Sequence, residues 1–312
     1  MKMKSIKSKK FIKNFLRVFG LSSFIIVSSI TADKAKALEV YVCPESGSVN
    51  ATEDYIRNLD SSDTSFGNCQ TTPEKFELTM YEMGLCKSNP ISGEDGSKVW
   101  DKSTCVTTMI DSSGVTVDLA PGSSSSKTEI LPSAETRPPS GRYTHAFILL
   151  SNVFGLKGSY TLDGTRYYST PAIDEEDNTP YGLPKAGNAA SQDHTDIVNE
   201  VGPDPYPMEM SPVAFPESQG GGKVSALLFK NCDHIANKCI GTSPKAASKA
   251  EAKRIFAVFE TNAGVPVVIS DDTSGLEVEL SVKNAGYTMG VSQGLGVTYF
   301  GSAPFLPKFT TF

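Results

Sequence analysis

The amino-acid sequence predicts an all-β protein with an antiparallel β-sandwich architecture and one short helix near residues 244–253. Short runs of alternating apolar and polar residues recur along the chain, and turn-forming Gly, Pro, Asn and Asp separate them. Between residues 38 and 312, only one stretch is rich in Ala and Lys. With 312 residues, of which 39% are hydrophobic, the chain can form one large sandwich or two smaller modules.

The first 37 residues have the pattern of a secretory signal peptide. A basic segment leads into the apolar stretch from Val18 to Ile30, and Ala35-Lys36-Ala37 forms a small-residue cleavage site. The apolar stretch would rise about 20 Å as a helix, which is short of the roughly 30 Å hydrocarbon core of a membrane. We therefore expect cleavage before Leu38 and a periplasmic, cell-surface or extracellular location in a bacterium.

Loss of this segment makes the chain more acidic. The sequence has 29 Lys and Arg against 35 Asp and Glu, but residues 1–37 hold nine of the bases and one of the acids. The mature net charge is therefore −14. Such a surface repels phosphate backbones and anionic membranes, so we expect no nucleic-acid partner. Because the apolar stretch is short and is removed by cleavage, we also expect no transmembrane anchor in the mature chain.

All six cysteines lie in the predicted mature region, where export exposes thiols to oxidation. Among the many pairings that six cysteines allow, loop closure favours the sequential one. It joins Cys43 with Cys69, Cys86 with Cys105, and Cys232 with Cys239. A metal site at Cys232, His234 and Cys239 competes with the last pair, but it lacks a fourth nearby ligand.

Strand patterns begin at Phe76–Met80, where apolar residues occupy every second position. The runs 105–110 and 115–119 enclose a Gly-containing turn, and we expect them to form a hairpin. A second hairpin is expected where Asp163-Gly164, a pair typical of a type I′ turn, joins the strand-like runs on either side.

Pro138-Pro-Ser-Gly-Arg-Tyr143 precedes a long apolar run that ends at Leu150, and Tyr143 is expected to begin a strand. Residues Pro139 to Tyr143 resemble the strand opener of prealbumin-like and Cna-B-type β-sandwich modules of secreted bacterial proteins. The resemblance covers five residues and implies the fold class alone. Modules of these families mostly serve as rigid stalks or binding supports.

Residues 171–222 differ in composition from the rest of the chain, since they hold eight of the 19 prolines, ten acids and one base. Such a composition builds little core, so we expect an acidic linker or a long loop over a sandwich. The predicted division is a signal peptide at 1–37, a β-sandwich module at 38–170, the linker or loop, and a last part at 223–312. That last part is a second β module or the completion of the first sandwich.

The last part returns to strand patterns, at 224–229, 254–260, 265–270 and 276–282. Between the first two, Pro244 to Lys253 is rich in Ala and Lys and contains a capping-box pattern, which predicts the short helix. The Gly-rich region that follows is compatible with a strand or with a loop.

One catalytic motif occurs, Gly290-Val-Ser292-Gln-Gly294, which matches the nucleophile-elbow pattern G-x-S-x-G. A nucleophile elbow needs a helix after the serine and a later triad histidine. The residues after Ser292 are strand-like, and no histidine follows His234. The motif is therefore interpreted as a coincidence.

No metal or cofactor site is predicted. The three histidines, His145, His194 and His234, lack metal-ligand spacing. The acidic run Asp174–Asn178 offers oxygen ligands for Ca²⁺ without the spacing of an EF-hand, so a solvated loop is favoured over a Ca²⁺-stabilised surface protein. The sequence names no catalytic residue.

The predicted function is that of an exported, non-catalytic structural, adhesive or binding protein of the bacterial envelope or exterior. The partner would be a protein, a glycan or a second copy, contacted through open strand edges or through the hairpin that carries Tyr160, Tyr167 and Tyr168. The alternative is a secreted hydrolase that acts on polysaccharide with paired carboxylates, some of them from residues 171–222.

Overall fold

The computed structural model describes residues 38–59, 65–120, 137–174, 179–187, 190–203, 205–230 and 245–312. These residues form a fold dominated by β-strands, with a single α-helix, α1 (Glu53–Arg57). The prediction of an all-β protein is confirmed.

The strands are mostly short, but β3 and β6 have 12 and 14 residues. In chain order they are β1 (Leu38–Glu39), β2 (Phe66–Thr71), β3 (Lys75–Cys86), β4 (Ile91–Ser92), β5 (Val99–Trp100), β6 (Cys105–Asp118), β7 (Gly141–Tyr143), β8 (His145–Ser151), β9 (Val153–Lys157), β10 (Ser159–Leu162), β11 (Thr165–Ile173), β12 (Pro180–Ala186), β13 (His194–Ile197), β14 (Glu209–Ala214), β15 (Lys223–Phe229), β16 (Arg254–Glu260), β17 (Val267–Ile269), β18 (Leu276–Ser281), β19 (Tyr287–Ser292), β20 (Gly296–Ser302) and β21 (Leu306–Thr311).

Two mainly antiparallel sheets form the body of the fold. The large sheet has the order β1-β14-β15-β16-β8-β3-β9-β13, and β6 pairs with the opposite side of β3. The small sheet has the order β10-β11-β12-β20-β19-β2. Phe76 and Ile148 of the large sheet share one buried cluster with Tyr287 and Met289 of the small sheet, so the two sheets pack face to face.

The outer face of the large sheet carries a second apolar cluster. The β4–β5 hairpin covers it and places the Trp100 ring 5.5 Å from Phe229 and 5.7 Å from Phe256. Because β8 is buried on both faces, its sequence is apolar at nearly every position instead of alternating.

The predicted hairpin across Asp111–Gly114 is wrong. Both runs belong to one strand, β6, which pairs with β3 from Cys86 opposite Cys105 to Glu77 opposite Asp118. The Asp111 carboxylate accepts hydrogen bonds from the backbone N–H groups of Ser113 and Gly114, at 2.8 and 3.0 Å. The residues before and after this segment both pair with β3, so the chain does not reverse direction. The turn-like hydrogen bonds therefore close a bulge within β6.

The hairpin at Asp163-Gly164 is confirmed. Ser159–Leu162 pairs antiparallel with the first residues of β11, and Leu162 lies opposite Thr165. Both turn residues have positive φ, 48° and 74°, as a type I′ turn requires.

Residues 171–222 differ from the linker or long loop expected from their composition, because they contribute three strands. β12 lies inside the small sheet, whereas β13 and β14 belong to the large one. Lysines from other segments offset the acids, as Lys75 does for Asp193 and Lys245 does for Glu209. β15 and β16 then pair beside β8, so the large sheet joins strands from both predicted modules.

The predicted helix near 244–253 is a single 3₁₀ turn, Lys249–Glu251, in the part of this segment that the structure describes. Backbone bonds from Ala246 to Leu228 and from Lys253 to Phe229 tie both flanks of the turn to β15, which leaves no length for a longer helix. The α-helix lies instead at α1, where the Thr52 hydroxyl caps the N-terminus by accepting from the Tyr55 N–H.

Two disulfides join Cys43 to Cys69 and Cys86 to Cys105, the pairs that loop closure favours. The second bond fixes the start of β6 to the end of β3. Cys232 and Cys239 lie outside the described residues, as does the predicted signal peptide. In the described part of the chain, no helix has the length and apolar character needed to cross a membrane.

Candidate functional site

Ser292 does not form a nucleophile elbow. It is the last residue of β19, its side chain is buried, and a short turn leads directly into β20. No helix follows the serine to orient it, which an elbow requires.

The two histidines that the structure describes, His145 and His194, lie on different strands. His145 is half-buried beside the Thr144 hydroxyl, at 2.9 Å, and burial lowers its pKa while the charge of Glu260 raises it. His194 is buried between the sheets, and His234 lies outside the described residues. Among the residues that the structure describes, no three His, Cys, Asp or Glu side chains converge as metal ligands do.

Three acids of residues 171–222 form ion pairs with separate lysines. Asp193 is 3.1 Å from the Lys75 ammonium, and Glu200 pairs with Lys249. Glu209 pairs with Lys245 and also accepts a hydrogen bond from a backbone N–H of the loop between β4 and β5, at 2.7 Å. Each of these three carboxylates therefore ties strands or loops of the fold together.

The tyrosine hairpin does not present a set of exposed rings. Tyr160 is fully buried, and its hydroxyl donates to the Pro44 carbonyl at 2.8 Å. Tyr167 and Tyr168 are half-buried and point to opposite faces of β11, with the Arg166 guanidinium 5.4 Å from the Tyr168 ring. A flat aromatic platform for sugar is therefore absent from this hairpin.

A buried polar cluster lies where β13 meets the small sheet. Asp196 accepts from the backbone N–H and the hydroxyl of Ser302, at 2.7 and 2.6 Å. The His194 and Tyr287 rings are 6.1 Å apart, and neither ring nitrogen of His194 has a hydrogen-bond partner among the described residues. A Cβ on Gly182 would lie 2.5 Å from His194 Nε2, so the imidazole packs directly on the backbone of β12.

Burial controls the charge state of this cluster. It lowers the pKa of His194 to about 4, and it raises the pKa of Asp196 against the hydrogen bonds from Ser302. The pKa of Tyr287 is also raised well above its ordinary value by burial. His194 is therefore a neutral side chain of the folded interior at neutral pH.

His194 should make the fold sensitive to acid. The unfolded chain binds a proton near the ordinary pKa of 6.5, whereas the folded chain binds it only near 4, so stability is complete above 6.5 and falls as the pH drops toward 4. We expect a loss of about 2 to 3 kcal/mol from this residue. Urea denaturation of the wild type and His194→Gln at pH values near 7 and 4.5 measures it.

The wild type should lose more stability on acidification than His194→Gln does. Asp196 acts in the opposite direction because its pKa is raised, but it is present in both proteins and largely cancels in the comparison. Equal losses in the two proteins would show that His194 is not buried in its neutral form.

Several strand edges in the described residues are covered or irregular, as natural proteins require to avoid unwanted pairing. The register of β6 shifts twice along β3, and β14 contains Pro212 within a register shift. The Gly47 N–H donates to Thr161 along the edge of β10, at 3.0 Å, and the Cys43 N–H donates to Gln70 along the edge of β2, at 2.8 Å.

The edge of β18 has none of these features. β18 pairs only with β21, over six residues without a register shift. Gly275 and Phe312 exchange both backbone hydrogen bonds, at 3.0 and 3.2 Å, and bonded pairs alternate along an antiparallel ladder. The N–H and C=O groups of Leu276, Val278 and Leu280 therefore point away from β21, and none of them has a backbone partner among the described residues.

The other side of the β18–β21 ribbon is closed by one side chain. Asn262 donates from its amide nitrogen to the Phe309 carbonyl at 2.9 Å and accepts from the Phe309 N–H at 3.0 Å. Phe309 lies opposite Val278 in the ribbon, so the N–H and C=O groups of Phe309 point away from β18. The ribbon thus has one capped edge and one open edge, and we name Leu276, Val278 and Leu280 the open edge of β18.

The ribbon is held firmly on the body of the fold. Leu276 and Val278 pack against the cluster around Tyr143 and Ile269, and Leu280 packs against the core between the sheets. Sequence patterning predicted the strand at 276–282 but not the state of its edge.

Comparisons of the chain with protein-family models, with curated proteins and with solved structures find no match.

Proposed function

We propose that this chain is an exported, non-catalytic binding protein of the bacterial envelope or exterior, and that it binds an extended segment of another polypeptide along the open edge of β18. The observation that carries the proposal is the regular row of outward backbone groups on Leu276, Val278 and Leu280. An added strand pairs with such groups by the main-chain hydrogen bonds that give β-augmentation its affinity.

Rigidity of the edge supports this function. The strand is already extended and is anchored by apolar contacts with the core. Binding a partner strand would therefore cost this protein little conformational entropy. The N–H and C=O groups are also already free of any strand on that side within the described residues, so no existing ladder has to break.

Export to an oxidising compartment also supports the proposed binding function. Two disulfides fit an oxidising space such as the periplasm, the cell surface or the exterior. In such a space, a rigid domain with an open strand edge can act as an adhesive or structural component without bond-breaking chemistry. The signal-peptide pattern of residues 1–37 agrees with this location.

The test is a pair of substitutions at Val278. Its N–H points away from β21, so Val278→Pro removes a donor of the open edge without removing a bond of the existing ladder. Val278→Ala trims the same side chain and keeps the donor. The probes are fluorescent octapeptides in which Val alternates with Ser, with Lys or with Glu, and the measurement is their dissociation constant from the purified protein.

We expect at least one peptide to bind the wild type and Val278→Ala with affinities within about threefold, and Val278→Pro to bind it at least about tenfold more weakly. Circular dichroism and the unfolding midpoint confirm that both variants are folded. Failure of all three peptides to bind the wild type, or equal binding by the two folded variants, contradicts the proposal.

A further inference from the structure

We infer that His194 acts as an acid-sensitive latch, and that its protonation opens a seam between β13 and the small sheet while both sheets stay folded. The inference goes beyond the proposed function and involves none of the residues of the open edge of β18. It follows from the way in which β13 is joined to the small sheet and from the position of His194 among those contacts.

Among the described residues, a few hydrogen bonds and no strand ladder join β13 to the small sheet. β13 ends the large sheet, and its ladder runs along β9. Towards the small sheet, Asp196 accepts from the N–H and the hydroxyl of Ser302, at 2.7 and 2.6 Å. Just before β13, Gln192 donates its N–H to the Ser169 carbonyl and accepts from the Ser169 hydroxyl, both at 2.8 Å. We name these contacts the β13 seam.

His194 lies between Gln192 and Asp196 and fits the β13 seam in its neutral form. It is 4% exposed, and its ring rests on the backbone of Gly182. Neither ring nitrogen has a hydrogen-bond partner among the described residues, so a second proton would bring a buried charge without an acceptor. Burial accordingly lowers the pKa of His194 to about 4, against the raising effects of the Gln192 backbone and of Asp193.

Other titratable groups lie near His194. On β13 itself and on the elements packed around it, they are Asp193, Asp196, Tyr287, Tyr299, Glu74 and Lys157. The Asp193 carboxylate lies 3.1 Å from the Lys75 ammonium, so its charge is accompanied by a lysine. Burial raises the pKa of Tyr287 well above its ordinary value and that of Tyr299 to about 12, so both tyrosines stay neutral in acid.

Asp196 acts in the direction opposite to His194. Burial raises its pKa against the hydrogen bonds from Ser302, so the closed seam takes up this proton more readily than the open seam does, and acid favours closure through Asp196. The pKa of His194 is about 4 in the closed seam and returns towards 6.5 on exposure, so acid favours opening through His194. The effect of His194 is therefore measured by comparing proteins that all retain Asp196.

The β13 seam can open without unfolding of the two sheets. β13 has four residues, and neither described disulfide reaches it, since one joins Cys43 to Cys69 and the other joins β3 to β6. The cluster that contains Phe76, Ile148 and Met289 holds the rest of the two sheets together. A short segment with few contacts opens at a lower free energy than the whole fold does.

Native-state hydrogen exchange, measured by NMR in low concentrations of urea at pH 7 and 4.5, tests whether the seam opens by itself. The N–H groups of Gln192 and Ser302 report the β13 seam, and the β8–β16 ladder reports global unfolding. At pH 4.5 we expect the two seam amides of the wild type to be at least about tenfold less protected than the ladder and to depend little on urea. Protection equal to that of the ladder, with the same urea dependence, overturns the inference because the seam would then open only when the whole protein unfolds.

Substitution of His194 tests the latch itself. From pH 7 to 4.5, after correction for intrinsic exchange rates, the protection of the seam amides should fall at least about thirtyfold more in the wild type than in His194→Gln. His145→Gln is the matched control, because it removes the other described histidine, on β8, and should respond like the wild type within about threefold. His194→Leu provides a second comparison if the Gln variant does not fold. An equal fall in the wild type and in a folded His194 variant also overturns the inference.

Discussion

Replacing Phe76 by Ala is expected to lower the free energy of unfolding by about 4 kcal/mol. Phe76 is fully buried, and its ring centroid lies 5.6 Å from that of Phe154 and 5.7 Å from that of Phe305. A Cβ on Gly286, just before β19, would come within 3.1 Å of the same ring. The substitution therefore leaves a cavity between the large sheet and the segment that enters the small sheet, and guanidinium denaturation measures its cost.

The same experiment tests whether the two sheets unfold together. The only tryptophan, Trp100, reports the outer face of the large sheet, whereas far-UV circular dichroism reports all strands. Because one core joins the sheets, the two signals should give coincident transitions, shifted together in Phe76→Ala. Val268→Ala removes a half-exposed side chain and should change stability by less than about 0.5 kcal/mol. Separate transitions, or a cost below about 1 kcal/mol for Phe76→Ala, would refute a shared core.

Loss of the Cys86–Cys105 disulfide is expected to cost about 3 kcal/mol. The two cysteines are 19 residues apart in sequence, and closing a loop of this size removes entropy from the unfolded chain. In the folded state the bond also ties β6 to β3 at the point where the strand begins. The measurement is the unfolding free energy of Cys86→Ala/Cys105→Ala compared with the wild type under non-reducing conditions.

Cys43→Ala/Cys69→Ala provides the comparison, because its loop of 26 residues should cost a few tenths of a kcal/mol more. A reductant that opens both bonds should then destabilise the wild type more than either double variant. If Cys86→Ala/Cys105→Ala is as stable as the wild type, the unfolded-state explanation fails for this bond.

Local patterns were sufficient where one signal acted alone. Asp163-Gly164 predicted a type I′ turn, since a two-residue turn with both φ values positive strongly favours these residue types. The apolar run of β8 predicted a buried strand. Asp111–Gly114 carried a turn signal as well, but burial of both flanking runs against β3 was stronger, and the chain bulged instead of reversing.

The acidic residues of 171–222 are another case in which local sequence patterns did not predict the tertiary contacts. Their number in 171–222 favoured a linker, because the sequence does not reveal that Lys75, Lys245 and Lys249 come from distant strands or loops to offset them. His194 also belongs to this segment and is flanked by Asp193 and Asp196 in sequence, but the structure places it in the interior, on the backbone of Gly182.

The amino-acid sequence was enough to predict the β class, the two described disulfides and strands such as β8, β16 and β18, because alternation, turn chemistry and loop length act over a few residues. It also contained the Leu-Glu-Val-Glu-Leu pattern of β18. The open edge depended on distant contacts: Asn262 caps Phe309 on one side of the ribbon, and no described strand reaches the other. Whether an edge is open depends on which segments come to lie beside it, and that is a property of the folded chain.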